Sequence, residues 1–472
     1  MSVILDQCYA LVWGAPLLLL VTGIGIYYTI ALKGLQFRYL FYGLKLAFGK
    51  SPNRAHQETA GAKSTGDISH FQSLMTALAA TIGIGNIAGV ATCIATGGIG
   101  AIFWMWMTAL IGMSIKYAEA ILAVKYRVID AKNEMSGGPM YFIERGLGLK
   151  SLAFGFAFFG SIAALGGGNM LQANSVADVM RGVFSVDPRL TAVILAAFTG
   201  LSILGGIRSI GKVASWLVPF MAIIYIFGSG YILISCYDRI PDALMSIFKH
   251  AFSGQAAFGG FLGATVASSI QMGISRGLMT SEAGLGTASI AAASARTDTP
   301  GRQALVSMTG SFLATIIMCS MTALVLGVTD VFGLLSANGK ILNGASMTVQ
   351  AFNSVIPWGG YLVSVALVLF AFTTLLGWAY YGEKCVEYIF GIKSVPIYRI
   401  IFTLFVAFGA VLELEVVWKV SDIFNGLMAF PNLIALMLLS KVVISETKEF
   451  LLLVESEKQA KKQQRSPVSV ST

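Results

Sequence analysis

Apolar residues in this chain run in long blocks, without the alternation or narrow stripes of soluble strands and helices. About 20 apolar residues cross a bilayer. Eleven blocks approach or exceed that length: 9–32, 71–97, 100–124, 152–180, 190–206, 212–236, 256–295, 303–328, 356–390, 397–417 and 420–440. They predict an all-α integral membrane protein with 11 transmembrane helices. Residues 1–440 read as one transmembrane domain, and 441–472 turn charged and read as a cytoplasmic tail. Block 9–32 has no Lys or Arg before Lys33, so it lacks the basic start of a signal peptide and reads as a retained helix. Blocks 256–295 and 356–390 are too long for one simple span. Block 256–295 carries Gly263, Gly273, Gly277, Gly284 and Gly286 beside Arg276 and Glu282, and reads as a broken or re-entrant helix, interrupted near Gly273–Gly277. Residues 241–248 read as a short amphipathic helix at the membrane surface.

Composition excludes the soluble alternatives. The 472 residues are 56% hydrophobic and 12% charged, with a mean hydropathy of +0.76. Soluble domains carry about 25% charged residues, so this chain cannot cover a globule of its size with polar surface. The net charge of +9 invites a nucleic-acid reading, but its distribution argues otherwise. With the N-terminus outside, 24 Lys and Arg fall on the inner side and 6 on the outer. That is the positive-inside pattern, so the charge records topology, with the C-terminus cytoplasmic, and adds attraction to anionic membrane lipid. No nucleic-acid partner is implied. The five cysteines include no CxxC pair and the three histidines do not cluster, which gives no thiolate or histidine metal site.

Four stretches carry candidate chemistry. In 79–89, Gly83-Ile84-Gly85-Asn86 places poor helix formers near mid-membrane. An unwound helix there offers N–H groups and a positive dipole end to an anion, and carbonyls to a cation. The competing reading is close packing through the Gly85–Gly89 step. In 271–287, a glycine-punctuated run holds Arg276 and Glu282, read as a structural or gating pair. In 370–378, Thr373 and Thr374 either bond back to their own helix or coordinate a hard cation. Trp378 shares the face of Thr374. In 166–174, Asn169 and Gln172 are three apart and read as one face, for ligand hydrogen bonds or for inter-helix bonds. Lys116 and Glu119, also three apart, read as a structural pair.

Taken together, these stretches resemble the alanine/glycine:cation symporter family of bacteria and archaea. The resemblance rests on residues 83–92, on Gly97-Gly98 with Gly100–Trp106, on Ser136-Gly137-Gly138-Pro139-Met140-Tyr141, and on Arg276-Gly277 through Ser281-Glu282-Ala283-Gly284-Leu285-Gly286. It spans about residues 10–440. The chain departs from the family pattern at Ile84, Ser281 and Thr299, where Thr, Asn and His are commoner. The resemblance implies a leucine-transporter fold with one extra N-terminal helix (9–32) and two inverted five-helix repeats (71–236 and 256–440), each opening with a broken helix. It implies a substrate site at Gly83, Ile84, Gly85, Asn86, Asn169, Gln172, Gly273, Ser275, Thr374 and Trp378. In that site the Ile84 and Gly85 N–H groups take the carboxylate and carbonyls near Gly273–Ser275 take the ammonium. It implies a Na+ site at Ala79, Ile82, Phe370, Thr373 and Thr374. The expected function is Na+-coupled uptake of a small neutral amino acid, alanine or glycine, across the bacterial or archaeal plasma membrane by alternating access, with Na+ as coupling ion and no other cofactor. A proton-coupled carrier of the same fold is the alternative. Histidines outside the core segments and few free buried carboxylates weigh against it. A channel ranks lower, and no nucleophile–base constellation points to an enzyme.

Overall fold

The computed structural model describes residues 2–49, 66–253, 265–335, 341–412 and 415–465. They are mostly helical. One small antiparallel sheet pairs Val128–Ile129 with Met135–Ser136. Among the described residues, eight helices are long and apolar enough to cross a membrane: Gln7–Ala31, Ala101–Lys125, Lys150–Phe184, Gly206–Ser235, Pro300–Val328, Gly359–Phe390, Ile392–Val411 and Lys419–Leu438.

The other three apolar blocks behave differently, each for a local reason. Block 190–206 forms Pro188–Leu204, a helix of 17 residues. Block 71–97 divides into His70–Thr81, a short turn Ile84–Asn86, and Ala88–Gly97. The first half starts from a capping box, with Gln72 N–H donating to Ser69 Oγ and Ser69 N–H to Gln72 Oε1. It stops where Gly83 turns fully extended. Block 256–295 is described only from residue 265, so Gly263 lies outside the described residues. From there it forms Val266–Ser281 and Thr287–Ala293.

The interruption in that second block is at Glu282–Gly286 and not near Gly273–Gly277. The helix runs unbroken through Gly273 and Gly277, which serve packing. A Cβ on Gly273 would lie 2.4 Å from the Ala101 carbonyl oxygen, and one on Gly277 3.0 Å from Thr108 Cβ. The four-residue glycine step lets the 101–125 helix come into backbone contact. The break needs left-handed backbone instead, supplied by Glu282 (φ 53°), Gly284 (φ 86°) and Gly286 (φ 81°).

Lys116 and Glu119 stand on the deeply buried 101–125 helix, but they do not form one local pair. Glu119 Oε1 accepts the N–H groups of Gly284 (3.0 Å) and Gly286 (3.1 Å) and the Asn432 amide (2.7 Å). One carboxylate oxygen therefore holds the second break open and ties it to the 415–438 helix. Lys116 faces both Glu119 and Glu282.

The predicted amphipathic segment is a helix, Ile240–Ser253, with Met245, Phe248 and Phe252 exposed and Ala243, Ile247 and Ala251 buried. The charged segment after residue 440 is also helical, over Ser440–Arg465, and lies against the body of the protein. Val443, Thr447, Phe450 and Val454 are buried, and Gly301 makes the notch for the Phe450 ring. Glu446 pairs with Lys125, and Glu457 with Arg302. A further ionic network joins the 128–136 hairpin to the end of the 359–390 helix. There Lys384 Nζ lies 2.8 Å from Glu387, 2.8 Å from Ser136 Oγ and 3.3 Å from Asp130.

Candidate functional site

The two broken helices meet around a cavity of about 340 Å³. The first break lines it with Gly83, Ile84 and Gly85, and the following helix with Ala88, Gly89 and Thr92. The second broken helix adds Arg276, Met279, Thr280, Glu282 and Leu285. Gly167, Leu171 and Gln172 come from the 150–184 helix, Thr374 and Trp378 from the 359–390 helix, and Asp422 and Asn425 from the 415–438 helix.

At the first break, the chain supplies free donors. Asn86 Oδ1 accepts the Gly83 N–H at 3.0 Å, while its Nδ2 donates to the Ala314 carbonyl at 2.9 Å. Asn86 is fully buried and is not on the cavity wall. It is thus a brace for the break and not a substrate ligand, because both ends of its amide are already engaged. The Ile84 and Gly85 N–H groups are spent on no backbone carbonyl among the described residues. They open the helix that follows, where unpaired N–H groups and the dipole favour an anion. The space beside Gly85 is open, since a Cβ there would meet only Thr280 Cγ2, at 3.7 Å.

Beside the same break lies a cluster of oxygens. Thr374 Oγ1 is 2.9 Å from the Phe370 carbonyl and 3.2 Å from the Ala79 carbonyl. Thr373 Oγ1 is 3.0 Å from the Phe370 carbonyl. Four of the five residues expected at the Na+ site are therefore together. Ile82, the fifth, ends the 70–81 helix directly before Gly83. Close glycine contacts create this junction. A Cβ on Gly83 would lie 2.5 Å from Thr374 Oγ1, and one on Gly377 2.6 Å from Ala80 Cβ. An all-oxygen donor set of carbonyls and hydroxyls suits a hard cation.

The expected shared face of Asn169 and Gln172 is absent. Residues Gly166–Met170 form a π-helical turn, which inserts an extra residue and shifts the register. Asn169 turns away from the cavity and donates to the Phe402 carbonyl at 2.7 Å, while Gln172 turns into it. Glycines make room for the bulge, and a Cβ on Gly168 would lie 2.4 Å from Trp378 Cβ. Trp378 forms one wall, edge-on to Tyr381 with ring centroids 5.8 Å apart.

Gly273 and Ser275 are not at the cavity. They sit within unbroken helix, whose carbonyls are used by the helical ladder. Arg276 and Glu282 both reach the cavity, but their partners are exchanged relative to the sequence expectation. Arg276 faces Asp422 and Tyr9, and Glu282 faces Lys116 and accepts from Thr287 at 3.2 Å. Two carboxylates, Glu282 and Asp422, thus line the cavity, more than expected from the sequence. Thr280, Asp422 and Asn425 were not singled out by sequence. Asp422 and Asn425 carried the same signal as Asn169 and Gln172, polar residues three apart in an apolar block.

The chain matches the sodium:alanine symporter family over residues 1–466. It is 54% identical over 444 residues to the sodium/alanine symporter AgcS of Methanococcus maripaludis, covering 93% of this chain and 95% of that protein. It is 35% identical over 444 residues to the probable sodium/glutamine symporter GlnT of Bacillus subtilis, covering 93% and 88%. Among solved structures, MhsT in complex with L-phenylalanine superposes with a TM-score of 0.54 at 15% identity, covering 81% of this chain and 92% of that one. At that identity the likeness concerns the fold, which is of the leucine-transporter type.

Proposed function

Because this chain belongs to the sodium:alanine symporter family, whose members are multi-pass membrane transporters and not enzymes, we propose that it carries alanine or glycine into the cell together with Na+. The observation behind this reading is that one helix break adjoins both unpaired N–H groups and a cluster of oxygens. Its residues Ile84 and Gly85 line the cavity, and its preceding turn contributes Ala79 to the oxygen cluster with Phe370, Thr373 and Thr374. In this reading the substrate carboxylate binds the N–H groups, while Na+ bridges the 70–81 and 359–390 helices. Each ligand orders the break that the other uses, so each raises the other's affinity. Such coupling is typically about 1–3 kcal/mol and is reciprocal. Na+ entry adds about 2.3 kcal/mol per 100 mV of membrane potential.

The same proposal includes eleven spans, with the N-terminus outside and the C-terminus cytoplasmic. It also includes an extra helix ahead of two inverted five-helix repeats, whose two breaks meet at one cavity. The charge bias between loops supports this orientation. A second reading keeps the fold and couples transport to protons, favoured by Glu282 and Asp422 on the cavity wall. Uptake of a radiolabelled amino-acid panel into proteoliposomes, under Na+ and pH gradients imposed separately, tests both. The Na+ reading expects accumulation of alanine or glycine only with inward Na+. Accumulation driven by the pH gradient alone would replace it with the second.

Two substitutions refine the substrate placement. Gly85→Leu is expected to abolish alanine binding by filling the space beside the free N–H groups, whereas Gly85→Ala, with its nearest neighbour at 3.7 Å, is expected to retain it. Normal affinity in the leucine variant would reject this carboxylate site. Trp378→Ala removes a wall and is expected to admit valine or leucine, and an unaltered competition profile would count against Trp378 as the size limit.

A further inference from the structure

Asn86 is held from two sides, and its side chain accounts for only one of them. Its amide braces the break through Gly83 and Ala314. Its backbone carbonyl receives no backbone N–H among the described residues. That carbonyl accepts instead from Thr322 Oγ1 at 2.8 Å, on the 300–328 helix. Thr322 Oγ1 in turn lies 2.6 Å from Tyr225 Oη, on the 206–235 helix. A carbonyl only accepts, and Thr322 carries one hydroxyl proton. Thr322 directs it to the Asn86 carbonyl, since the Met318 carbonyl of its own helix is farther, at 3.2 Å. Tyr225 is therefore the donor to Thr322. All three residues are fully buried.

The Tyr225 ring reaches the oxygen cluster. Its centroid lies 5.7 Å from that of Phe370, whose carbonyl belongs to the cluster. One turn earlier on the same helix, Met221 Sδ lies 3.4 Å from Thr373 Oγ1, another member of the cluster. The ring also packs on Phe352 of the Gly344–Asn353 helix, with centroids 5.9 Å apart. One side chain thus touches the cluster with its ring and, through one hydroxyl relay, holds the break with its phenol. Neither Tyr225 nor Thr322 is on the cavity wall.

We propose that Tyr225 is a positioning residue for coupled transport: through Thr322 it fixes the Asn86 carbonyl in register with the Phe370 segment, so that ordering of the oxygen cluster is passed to the donor end of the break. This rests on the Na+-coupled amino-acid reading. The backbone from Ala79 to Gly85 joins the same two places directly. Loss of the phenol hydroxyl therefore weakens the coupling and does not abolish it.

The test is a mutant cycle read in Na+ dependence, using the full-length protein. Alanine affinity is measured at low and at saturating Na+, and the ratio of the two gives the Na+ enhancement. Tyr225→Phe keeps the ring and removes the hydroxyl. It is expected to lower the enhancement by about twofold to tenfold, the range for one neutral hydrogen bond. Thr322→Val is expected to lower it by a similar factor. The double variant is expected to lose no more than either single one, because both act through one chain of hydrogen bonds. Thr322→Ser keeps the relay and is expected to match wild type. A merely structural tyrosine would lower the melting temperature and leave the enhancement unchanged. That result in Tyr225→Phe or Thr322→Val overturns the proposal, and so does a double variant in which the two losses multiply. Either isosteric variant decides if the other fails to fold. Wild-type protein that binds alanine with no Na+ enhancement rejects the Na+ reading itself, a distinguishable result because it involves no variant.

Discussion

Thr374→Val is expected to raise the Na+ concentration for half-maximal alanine uptake by about tenfold to a hundredfold. Valine keeps the branched shape of threonine and lacks its hydroxyl. The Thr374 oxygen stands 2.9 Å from the Phe370 carbonyl and 3.2 Å from the Ala79 carbonyl, at the junction of two helices. Interactions of this kind with a charged group are worth about 1.5–3 kcal/mol, and 1.4 kcal/mol is a factor of ten. Because coupling is reciprocal, alanine affinity at fixed Na+ should fall along with Na+ affinity. Thr374→Ser, which retains the oxygen, should stay close to wild type. Na+ titration of uptake in proteoliposomes is the measurement, and an unchanged half-saturation in the valine variant would remove Thr374 from the Na+ site.

Glu119→Ala should be the most destabilising single change in the polar interior, by about 3–5 kcal/mol, the usual cost of removing one member of a buried charged network. The variant leaves three donors without their acceptor: the N–H groups of Gly284 and Gly286 and the Asn432 amide. It also leaves Lys116 facing a single carboxylate, Glu282. Glu119→Gln retains an oxygen for the two N–H groups and should fall between alanine and wild type. Thermal unfolding of the purified variants in detergent, compared with wild type, is the check. A Glu119→Ala protein that melts with wild type would show that the second break holds its shape without this carboxylate.

The first break was readable because its cause is local. Gly83, Gly85 and Asn86 lie within four residues, and the amide that braces the break belongs to that run. The oxygen cluster was readable in part, since Thr373 and Thr374 are adjacent on one helix. The position of the second break is not legible in sequence, because glycine has two uses. Gly273 and Gly277 permit a close helix contact, whereas Gly284 and Gly286 permit left-handed backbone. A run of glycines does not say which use applies until the neighbouring 101–125 helix is in place. A regular helix puts Asn169 and Gln172, three apart, on one face, and the π-helical turn beginning at Gly166 removes that premise.

Membrane residence and the long apolar blocks follow from composition, because desolvation of apolar residues is a property of each segment by itself. Family membership was also legible, in short motifs that do not depend on how the helices pack. Which polar atoms meet was not. Thr374 and Ala79 are 295 residues apart, and Glu119 and Gly284 are 165 apart. Whether a buried donor is satisfied, or left open to a ligand, depends on which distant helix lies against it and in what register. Packing sets that register through contacts such as Gly83 on Thr374 and Gly168 on Trp378. That is why Asn86 and Asn169 became braces, and why Asp422 and Asn425 came to light on the cavity wall only in three dimensions.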